Sequence, residues 1–168
     1  MKVQLRRAVT EDVSVLFELL NSCYRGDSAR IGWTYESDLV GGLRITHDEI
    51  SEILVKEDEY FLLAHLDHKI HGCVQITEEA EEIYFGLIAV RPELQNQKIG
   101  AQILEEIDRL ARLRGKARIR LVVIHTRDEL IAYYGRKGYV ATGESSDFPP
   151  EYPAKIPGLR LLEMKKTL

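Results

Sequence analysis

The segment formed by residues 90–101 carries the residues best suited to chemistry in this 168-residue chain. An apolar strand pattern ends there, Pro92 follows, and an amphipathic helix pattern begins near Lys98 with Gly100 in its first turn. The first amides of a helix lack intrahelical partners, and the helix dipole favours negative charge beside them. The segment has neither the Gly-Lys-Ser/Thr ending of a P-loop nor a G-x-G-x-x-G dinucleotide pattern. We therefore predict an anion site that suits a phosphorylated ligand.

The spacing of apolar residues and of capping residues predicts the elements that position this turn. Capping boxes begin at Thr46 and at Thr126, and a tight turn at Asp67-His68 joins two strands. The predicted elements are strand 3–8, a helix from 10, helix 46–56, strands 60–66, 69–77 and 82–90, helix 98–114, strand 118–125, helix 126–137, and strands 139–144 and 160–165. Strands mixed with helices in the order β-α-α-β-β-β-α-β-α-β-β predict an α/β fold with a mixed sheet.

Composition limits the classes of function. Apolar residues make up 45% and charged residues 30% of the chain, which fits one globular domain over residues 1–168. A net charge of −4 argues against a nucleic-acid partner. The sequence has no apolar run of membrane-span length and no signal-peptide core, so no membrane partner is expected. Cys23 and Cys73 lie in no metal or redox spacing, which predicts reduced, packed thiols and a cytoplasmic location.

Two motifs give the chain a resemblance to a known family. Gln95, Lys98 and Gly100 fall on a Gln/Arg-x-x-Gly-x-Gly/Ala pattern, with lysine in place of the first glycine. Downstream, Tyr133-Tyr134-Gly135-Arg136-Lys137-Gly138-Tyr139 has an aromatic-Tyr pair, three variable residues and Gly-aromatic. With these motifs and the predicted element order, essentially the whole chain resembles the GNAT N-acetyltransferase superfamily, and the resemblance implies that family's acyl-CoA N-acyltransferase fold.

The resemblance implies acetyl-CoA as co-substrate, bound between the fourth strand and the following one where the two splay apart. Gly86 is the expected position of a β-bulge that opens this pairing. At Lys98 we expect helical backbone angles that lysine can adopt, and an ammonium that adds charge pairing to the phosphates. The alternative is a solvated first-turn lysine beside a degenerate cofactor site. Arg127 stands where the family often has Asn, and it suggests a further phosphate contact. The implied cofactor-binding residues are the strand residues Leu87, Ile88, Ala89 and Val90, the turn residues Gln95, Asn96, Gln97, Lys98, Ile99, Gly100 and Ala101, and Arg127.

The resemblance also assigns catalytic roles. Tyr134 matches the tyrosine that donates a proton to the departing CoA thiolate, a task that a phenol near sulfur can perform. The alternative interpretation is that Tyr134 is an aromatic residue of the core, like its neighbour Tyr133. Glu82, on the fourth strand, is the nearest candidate for the base that deprotonates the amine; its alternative is a solvated acidic hairpin.

No metal site is expected. The histidines at positions 65, 68 and 71 bracket a hairpin, so their side chains point in different directions.

The acceptor pocket is expected between two loops, residues 24–44 and residues 145–158. We expect Trp33, Tyr35 and Tyr152 to contact the acceptor, because aromatic rings with nearby carboxylates suit a cationic amine that has an apolar portion. Residues 145–158 are long for a loop of a compact domain, and such loops tend to be functional, so a substrate lid is the hypothesis.

The sequence thus predicts an enzyme that moves an acetyl group from acetyl-CoA to a primary amine of a small molecule or peptide by direct attack. The alternative is a non-catalytic acyl-CoA-binding or sensing module, which Lys98, Arg127 and the absence of a clear base suggest. A third interpretation is an acyltransferase that uses a different CoA ester as acyl donor, or one that acts on a protein N-terminus as acceptor. Exposed strand edges are compatible with a homodimer.

Overall fold

A computed structural model of the chain describes residues 1–25 and 35–168. Within them the strands are β1 (Gln4–Arg7), β2 (Glu59–Leu66), β3 (Lys69–Glu78), β4 (Glu82–Val90), β5 (Arg118–Ile124), β6 (Val140–Asp147) and β7 (Arg160–Thr167). The helices are α1 (Val13–Tyr24), α2 (His47–Leu54), α3 (Ile99–Leu113) and α4 (Asp128–Arg136). Short 3₁₀ turns at Thr10–Asp12 and Pro92–Leu94 precede α1 and α3.

The described strands form one mixed sheet in the order β1-β2-β3-β4-β5-β7-β6. Every neighbouring pair is antiparallel except β4 and β5, which run parallel. A parallel pair needs a crossover connection, and α3 provides it. The predicted element order and the mixed α/β fold are confirmed.

The helices cover the two faces of the sheet. Buried residues of α1 and α2 pack with Phe61, Leu63 and Cys73 on one face, and those of α3 pack with Tyr60 and Leu62 on the other. Because successive residues of a strand point to opposite faces, the continuous apolar run of β2 is buried on both sides.

Local sequence signals explain most of the element boundaries. The capping box at Thr46 forms as predicted: Glu49 N–H donates to Thr46 Oγ1 at 3.2 Å, and Thr46 N–H donates to Glu49 Oε2 at 2.7 Å. Asp67 and His68 form the tight turn with positive φ. The second capping box was a wrong expectation, because Arg127 rather than Thr126 precedes α4 and makes no side-chain cap.

No helix in the two described ranges has the length and apolar character needed to cross a membrane.

Asp12 ties the start of α1 to β1. It is 7% exposed and accepts hydrogen bonds from Arg6 Nη1 at 2.7 Å, Arg6 Nη2 at 2.8 Å and the Val9 amide at 2.8 Å. The hydrogen bonds from Arg6 lower the pKa of Asp12, against the opposing effect of burial. A carboxyl with a lowered pKa in the folded state stabilises the fold above its ordinary pKa, and this contribution disappears as the pH falls through the folded-state value.

We expect Asp12→Ala to lower the free energy of unfolding by roughly 1–2 kcal/mol at pH 7, because Arg6 is partly exposed and solvent screens the pair. The difference between the native protein and the variant should shrink between pH 5 and pH 3. Urea unfolding at several pH values measures it. Glu57→Ala, at an exposed carboxylate, is the control with no pH-dependent difference, and a constant difference for Asp12→Ala would contradict the assignment.

Candidate functional site

Strands β4 and β5 pair over a short distance and then separate. The three pairs Glu82–Arg118, Ile83–Ile119 and Tyr84–Arg120 make the whole ladder between them. Beyond it, residues 85–88 of β4 and 121–124 of β5 face each other across a cavity of 240 Å³, the strand gap. Arg127, Leu130 and Tyr134 line it on the α4 side.

A β-bulge in β4 lies at the point of separation. Gln75 of β3 opposes Gly86, whereas Cys73 opposes Ala89, so β4 carries an extra residue here. The bulge lies beside Gly86 as expected, but Leu87 has the left-handed φ of 46°. A Cβ added to Gly86 would lie 3.1 Å from Tyr84 Oη, so glycine leaves room for that hydroxyl. The local kink carries β4 away from β5 and opens the gap.

The turn between β4 and α3 forms a second cavity of 400 Å³, the cradle. Its walls include Val90, Gln95, Asn96, Lys98, Ile99, Gly100 and Ala101. Leu130 lines both the cradle and the strand gap, so the two cavities adjoin. Of the predicted cofactor-binding residues, Ala89 and Gln97 line neither of these cavities, and the side chain of Ala89 is buried in the core beneath α1.

The amides of the cradle have hydrogen-bonding capacity to offer. The first intrahelical bond of α3 runs from Gln102 N–H to Lys98 O at 3.1 Å. Across the described residues, the amides of Asn96, Lys98, Ile99, Gly100 and Ala101 donate to no protein acceptor, and no side chain caps the helix. Unpaired amides at the positive end of a 15-residue helix favour an anion.

Lys98 has a backbone conformation that the sequence analysis did not anticipate. Its φ of 63° and ψ of 15° lie in the left-handed region, so the expectation of ordinary helical angles was wrong. A non-glycine residue in that region is strained, which gives a physical reason for the glycine in the family's motif. The exposed Lys98 side chain still lies at the wall of the cradle.

Two basic residues of the cradle were missed by the sequence analysis. Arg136 and Lys137, at the C-terminal end of α4, line it, and the Lys137 ammonium lies 5.8 Å from the centroid of the Tyr133 ring. They occupy variable positions between Tyr134 and Gly138, so the motif gave no reason to select them. Their position follows only from the fold, which places the end of α4 and the start of α3 around the same cavity.

Tyr134 lies in the wall of the strand gap and is 3% exposed. Its ring packs against Phe85, Tyr133 and Tyr139 at centroid distances of 6.0, 5.4 and 5.8 Å. Burial and the neighbouring Tyr133 raise the pKa of Tyr134 well above the ordinary phenol value, although Arg127 opposes the shift. The phenol therefore stays protonated at neutral and moderately alkaline pH, as a proton donor must.

Arg127 lines the strand gap and not the cradle. It is 8% exposed, and its Nε donates to Glu129 Oε1 at 2.6 Å. The basic residues that line the cradle are instead Lys98, Arg136 and Lys137, so the predicted phosphate contact of Arg127 stays a prediction without support from the cavity lining.

Glu82 lies at the opposite end of β4, where β4 and β5 are still paired. Its carboxylate accepts from Arg120 Nε at 2.8 Å and pairs with Arg118 and Lys165, each at 3.3 Å. Burial favours the neutral acid, but the hydrogen bonds from Arg120, Lys165 and Arg118 outweigh it and lower the pKa of Glu82. Because Glu82 lines neither cavity and is held ionised by three cations, its geometry suits a structural ion pair better than a base.

A third cavity of 290 Å³, the α2 groove, adjoins the strand gap on the face covered by α2. Glu49, Glu52 and Ile53 of α2 form one of its sides. Tyr152 lines both this groove and the strand gap, and its contact with the acceptor stays a prediction. Tyr35 is half-buried and lines neither, and Trp33 lies outside the described residues.

The two loops expected to wall the acceptor pocket are joined. Val40 forms an isolated antiparallel bridge with Ala154, Gly41 N–H donates to Pro153 O at 2.9 Å, and Lys155 N–H donates to Leu39 O at 2.7 Å. Residues 145–147 of the predicted loop belong to β6, so the loop itself is shorter than expected.

Comparison with known proteins gives a consistent picture. The model of the family described as "Acetyltransferase (GNAT) domain" matches residues 57–141. The spermidine N(1)-acetyltransferase of Thermoplasma acidophilum is 23% identical over 160 residues, which cover 88% of this chain and 95% of that protein.

Solved structures share the fold over nearly the whole chain. The PaiA N-acetyltransferase of T. acidophilum, in complex with coenzyme A, aligns with a TM-score of 0.72 at 19% identity and covers 100% of both chains. The ribosomal-protein-S18-alanine N-acetyltransferase of Escherichia coli also gives a TM-score of 0.72, at 15% identity, over 99% of this chain and 94% of that one.

The strain at Lys98 leads to a test. Lys98→Gly should raise the free energy of unfolding by roughly 0.5–1 kcal/mol, because glycine adopts the left-handed region without the steric penalty but loses more backbone entropy on folding. Asn96→Gly is the matched control: its φ is 70°, and asparagine tolerates this region, so the gain should be smaller. Urea unfolding measures both variants, and a destabilised Lys98→Gly protein would refute the strain argument.

Proposed function

Because the chain belongs to the GNAT acetyltransferase family, we propose that it transfers an acetyl group from acetyl-CoA to a primary amine of a small-molecule or peptide acceptor. One observation carries the proposal. Adjoining cavities lead from the unpaired amides at the start of α3 to the gap between β4 and β5, where the buried Tyr134 lies in the wall.

The residues present fit coenzyme A. Its pyrophosphate would accept hydrogen bonds from the α3 amides, and Arg136 and Lys137 would supply positive charge on the opposite wall of the cradle. The edge of residues Leu87, Ile88, Ala89 and Val90 that faces β5 has lost its ladder partner. The carbonyls of Ile88 and Val90 already accept from Tyr24 Oη and Gln95 Nε2, so the remaining groups on that edge would pair with the pantetheine amides. The acyl end would then lie near the bulge and Tyr134.

The chemistry divides between the co-substrate and this chain. Acetyl-CoA supplies an acyl group already activated as a thioester. The strand gap and the cradle align that group with the amine, and such alignment accounts for a large part of the acceleration in reactions of this kind. Tyr134 holds a proton that it donates to the sulfur as the carbon–sulfur bond breaks and the carbon–nitrogen bond forms.

The fate of the amine proton follows from the charged residues of the strand gap. Glu36 is the one carboxylate among the described residues that line this gap, and it is paired with Arg25 and Arg44. Glu82 has no place in the proposed mechanism, because it lies outside the gap. We propose that the proton leaves through water in the α2 groove, which is open to solvent.

The acceptor enters, in this proposal, through the α2 groove and beneath the joined loops. Tyr152 is the predicted acceptor-contacting residue that the geometry supports, and residues 148–158 remain our candidate for a lid. The similarity to a protein named spermidine N(1)-acetyltransferase supports a primary amine as the reacting group.

The proposal extends to the setting in which the protein works. We propose a single catalytic domain acting in the cytoplasm, where the buried thiols of Cys23 and Cys73 would stay reduced. The exposed residues of β6, at one edge of the sheet, are the surface we propose for a homodimer.

Calorimetric titration with acetyl-CoA tests the cradle. We expect micromolar affinity in the native protein, and roughly tenfold weaker binding in the double variant Arg136→Gln/Lys137→Gln, because two charge-assisted contacts to phosphate are lost. Arg112→Gln, an exposed basic residue on α3, is the control with unchanged affinity. No binding of acetyl-CoA to the native protein would remove the proposed function.

Tyr134→Phe separates an enzyme from a non-catalytic acyl-CoA sensor. In an enzyme the variant should lose roughly 100-fold or more in kcat, because the proton donor to the thiolate is absent. Affinity for acetyl-CoA should stay unchanged, since the ring remains in place. Tyr133→Phe makes the same chemical change at the adjacent residue and should retain activity. Thiol release with an amine panel gives the rates; full activity in Tyr134→Phe would exclude this role.

A further inference from the structure

Arg44 occupies the boundary between the strand gap and the α2 groove. Both cavities are lined by Arg44, Tyr84, Gly86, Leu87 and Tyr152. The bulge at Gly86 and Leu87 is the place where, under the proposed function, the acetyl group meets the amine. Arg44 therefore lies beside the reacting amine, on the route by which the acceptor reaches it.

The guanidinium of Arg44 has hydrogen-bond donors to spare. Its Nε is buried without a hydrogen-bond partner, and its nearest charged neighbour is Glu36 Oε1 at 3.4 Å. That oxygen already accepts a hydrogen bond from Arg25. Over residues 1–25 and 35–168, the side chain of Arg44 donates no hydrogen bond. Buried donors of a charged group are normally paired, so an acceptor from outside the protein is the natural partner.

The surroundings of Arg44 hold it in position and leave its donors free. The Arg44 amide donates to Asn21 Oδ1 at 2.7 Å, which fixes the backbone. The guanidinium carbon lies 5.2 Å from the Tyr24 ring centroid and 5.9 Å from that of Tyr152. Tyr24 is itself held by a 2.6 Å hydrogen bond from its hydroxyl to Ile88 O. Aromatic contacts orient the guanidinium without occupying its N–H groups.

The charges around the strand gap do not balance. Its charged residues within the described ranges are Arg25, Glu36, Arg44 and Arg127. Arg25 pairs with Glu36, and Arg127 pairs with Glu129 at 2.6 Å. Glu36 also lies 3.4 Å from Arg44, so these pairings leave one net positive charge, which Arg25 and Arg44 share. Glu49 and Glu52 of the α2 groove are available to a distal ammonium of the acceptor. Next to the guanidinium itself, however, a polyamine would add positive charge, whereas an oxyanion would neutralise it.

We infer that the amine acceptor carries an oxyanion, a carboxylate or a phosphonate, which Arg44 binds. The inference rests on the proposed function and narrows its acceptor to small amino-acid-like molecules instead of polyamines. Arginine suits this task because its planar guanidinium offers two parallel donors to the two oxygens of a carboxylate. Binding at that point would hold the amine of the same molecule toward the bulge at Leu87.

Matched acceptor pairs test the inference. The twenty protein amino acids are compared with their carboxamides, together with aminomethylphosphonate and spermidine, by thiol release with acetyl-CoA. For at least one amino acid, kcat/KM should be roughly tenfold or more above that of its carboxamide and of spermidine. If the phosphonate is the accepted oxyanion, kcat/KM for aminomethylphosphonate should exceed that for spermidine by the same factor. The carboxylate and phosphonate arms identify which oxyanion is accepted.

Variants assign the effect to Arg44. Arg44→Gln should lower kcat/KM for the best oxyanion acceptor by roughly 10- to 100-fold and change that for its carboxamide by less than threefold. Arg44→Lys should recover part of the loss, because it restores the charge but not the two-donor geometry. Arg109→Gln is the control with unchanged activity: this exposed arginine of α3 lines none of the three cavities and is paired with Glu106. Calorimetric affinity for acetyl-CoA should be unchanged in all three variants.

The contrary results are distinct from failure of the proposed function. If spermidine or the carboxamides react best, or if Arg44→Gln leaves the ratio of paired substrates unchanged, the inference is overturned while acetyl transfer stands. The inference is likewise overturned if acetyl-CoA binds but none of the oxyanion-bearing compounds in the panel reacts. The same holds if calorimetry shows that none of these compounds binds to the complex of the protein with CoA. Failure of acetyl-CoA to bind would instead remove the proposed function itself.

Discussion

The end of pairing between β4 and β5 is the constraint on which the rest of the structure depends. Parallel strands in the middle of a sheet normally pair along their full length, because unpaired backbone groups in the interior are unfavourable. Here the ladder stops after Tyr84 and Arg120, and the bulge beside Gly86 turns β4 away. At the closed end, Glu82 binds Arg118 and Arg120 of β5 and Lys165 of β7, so the strands stay joined there. The gap is therefore confined to one end of the pair, next to the turn that leads into α3.

The start of α3 depends on the same arrangement. β4 ends at Val90, the turn of residues 91–98 follows, and the helix begins directly beside the gap. Its unpaired amides face a cavity whose opposite wall comes from α4, which also carries Tyr134. One helix thus contributes basic residues to the cradle and a phenol to the gap. Lys98, the last residue of this turn, has a left-handed φ of 63°, which is a strained conformation for lysine.

Much of this arrangement could be predicted from the sequence, and the exceptions have physical reasons. Periodicity gave the order of the elements, because the apolar residues of α3 and β2 are buried as their spacing indicates. Two motifs indicated the turn that lines the cradle and the position of Tyr134, whose roles stay predictions. Glu82 was expected near the reacting groups because it belongs to β4, yet a nine-residue strand spans both the closed and the open end. Arg44, Arg136 and Lys137 depend on contacts between elements distant in sequence, which no local pattern records.

The division of the helices between the two faces of the sheet determines from which sides the strand gap can be reached. The cradle lies on the side of α3 and α4, and the groove lined by α2 lies on the other side. The strand gap is thus a passage through the sheet with two separate mouths. Under the proposed function, acetyl-CoA and the acceptor would enter this passage from opposite faces of the sheet and leave without passing one another. The reacting atoms would then meet at the one place where the sheet between the two described cavities is interrupted.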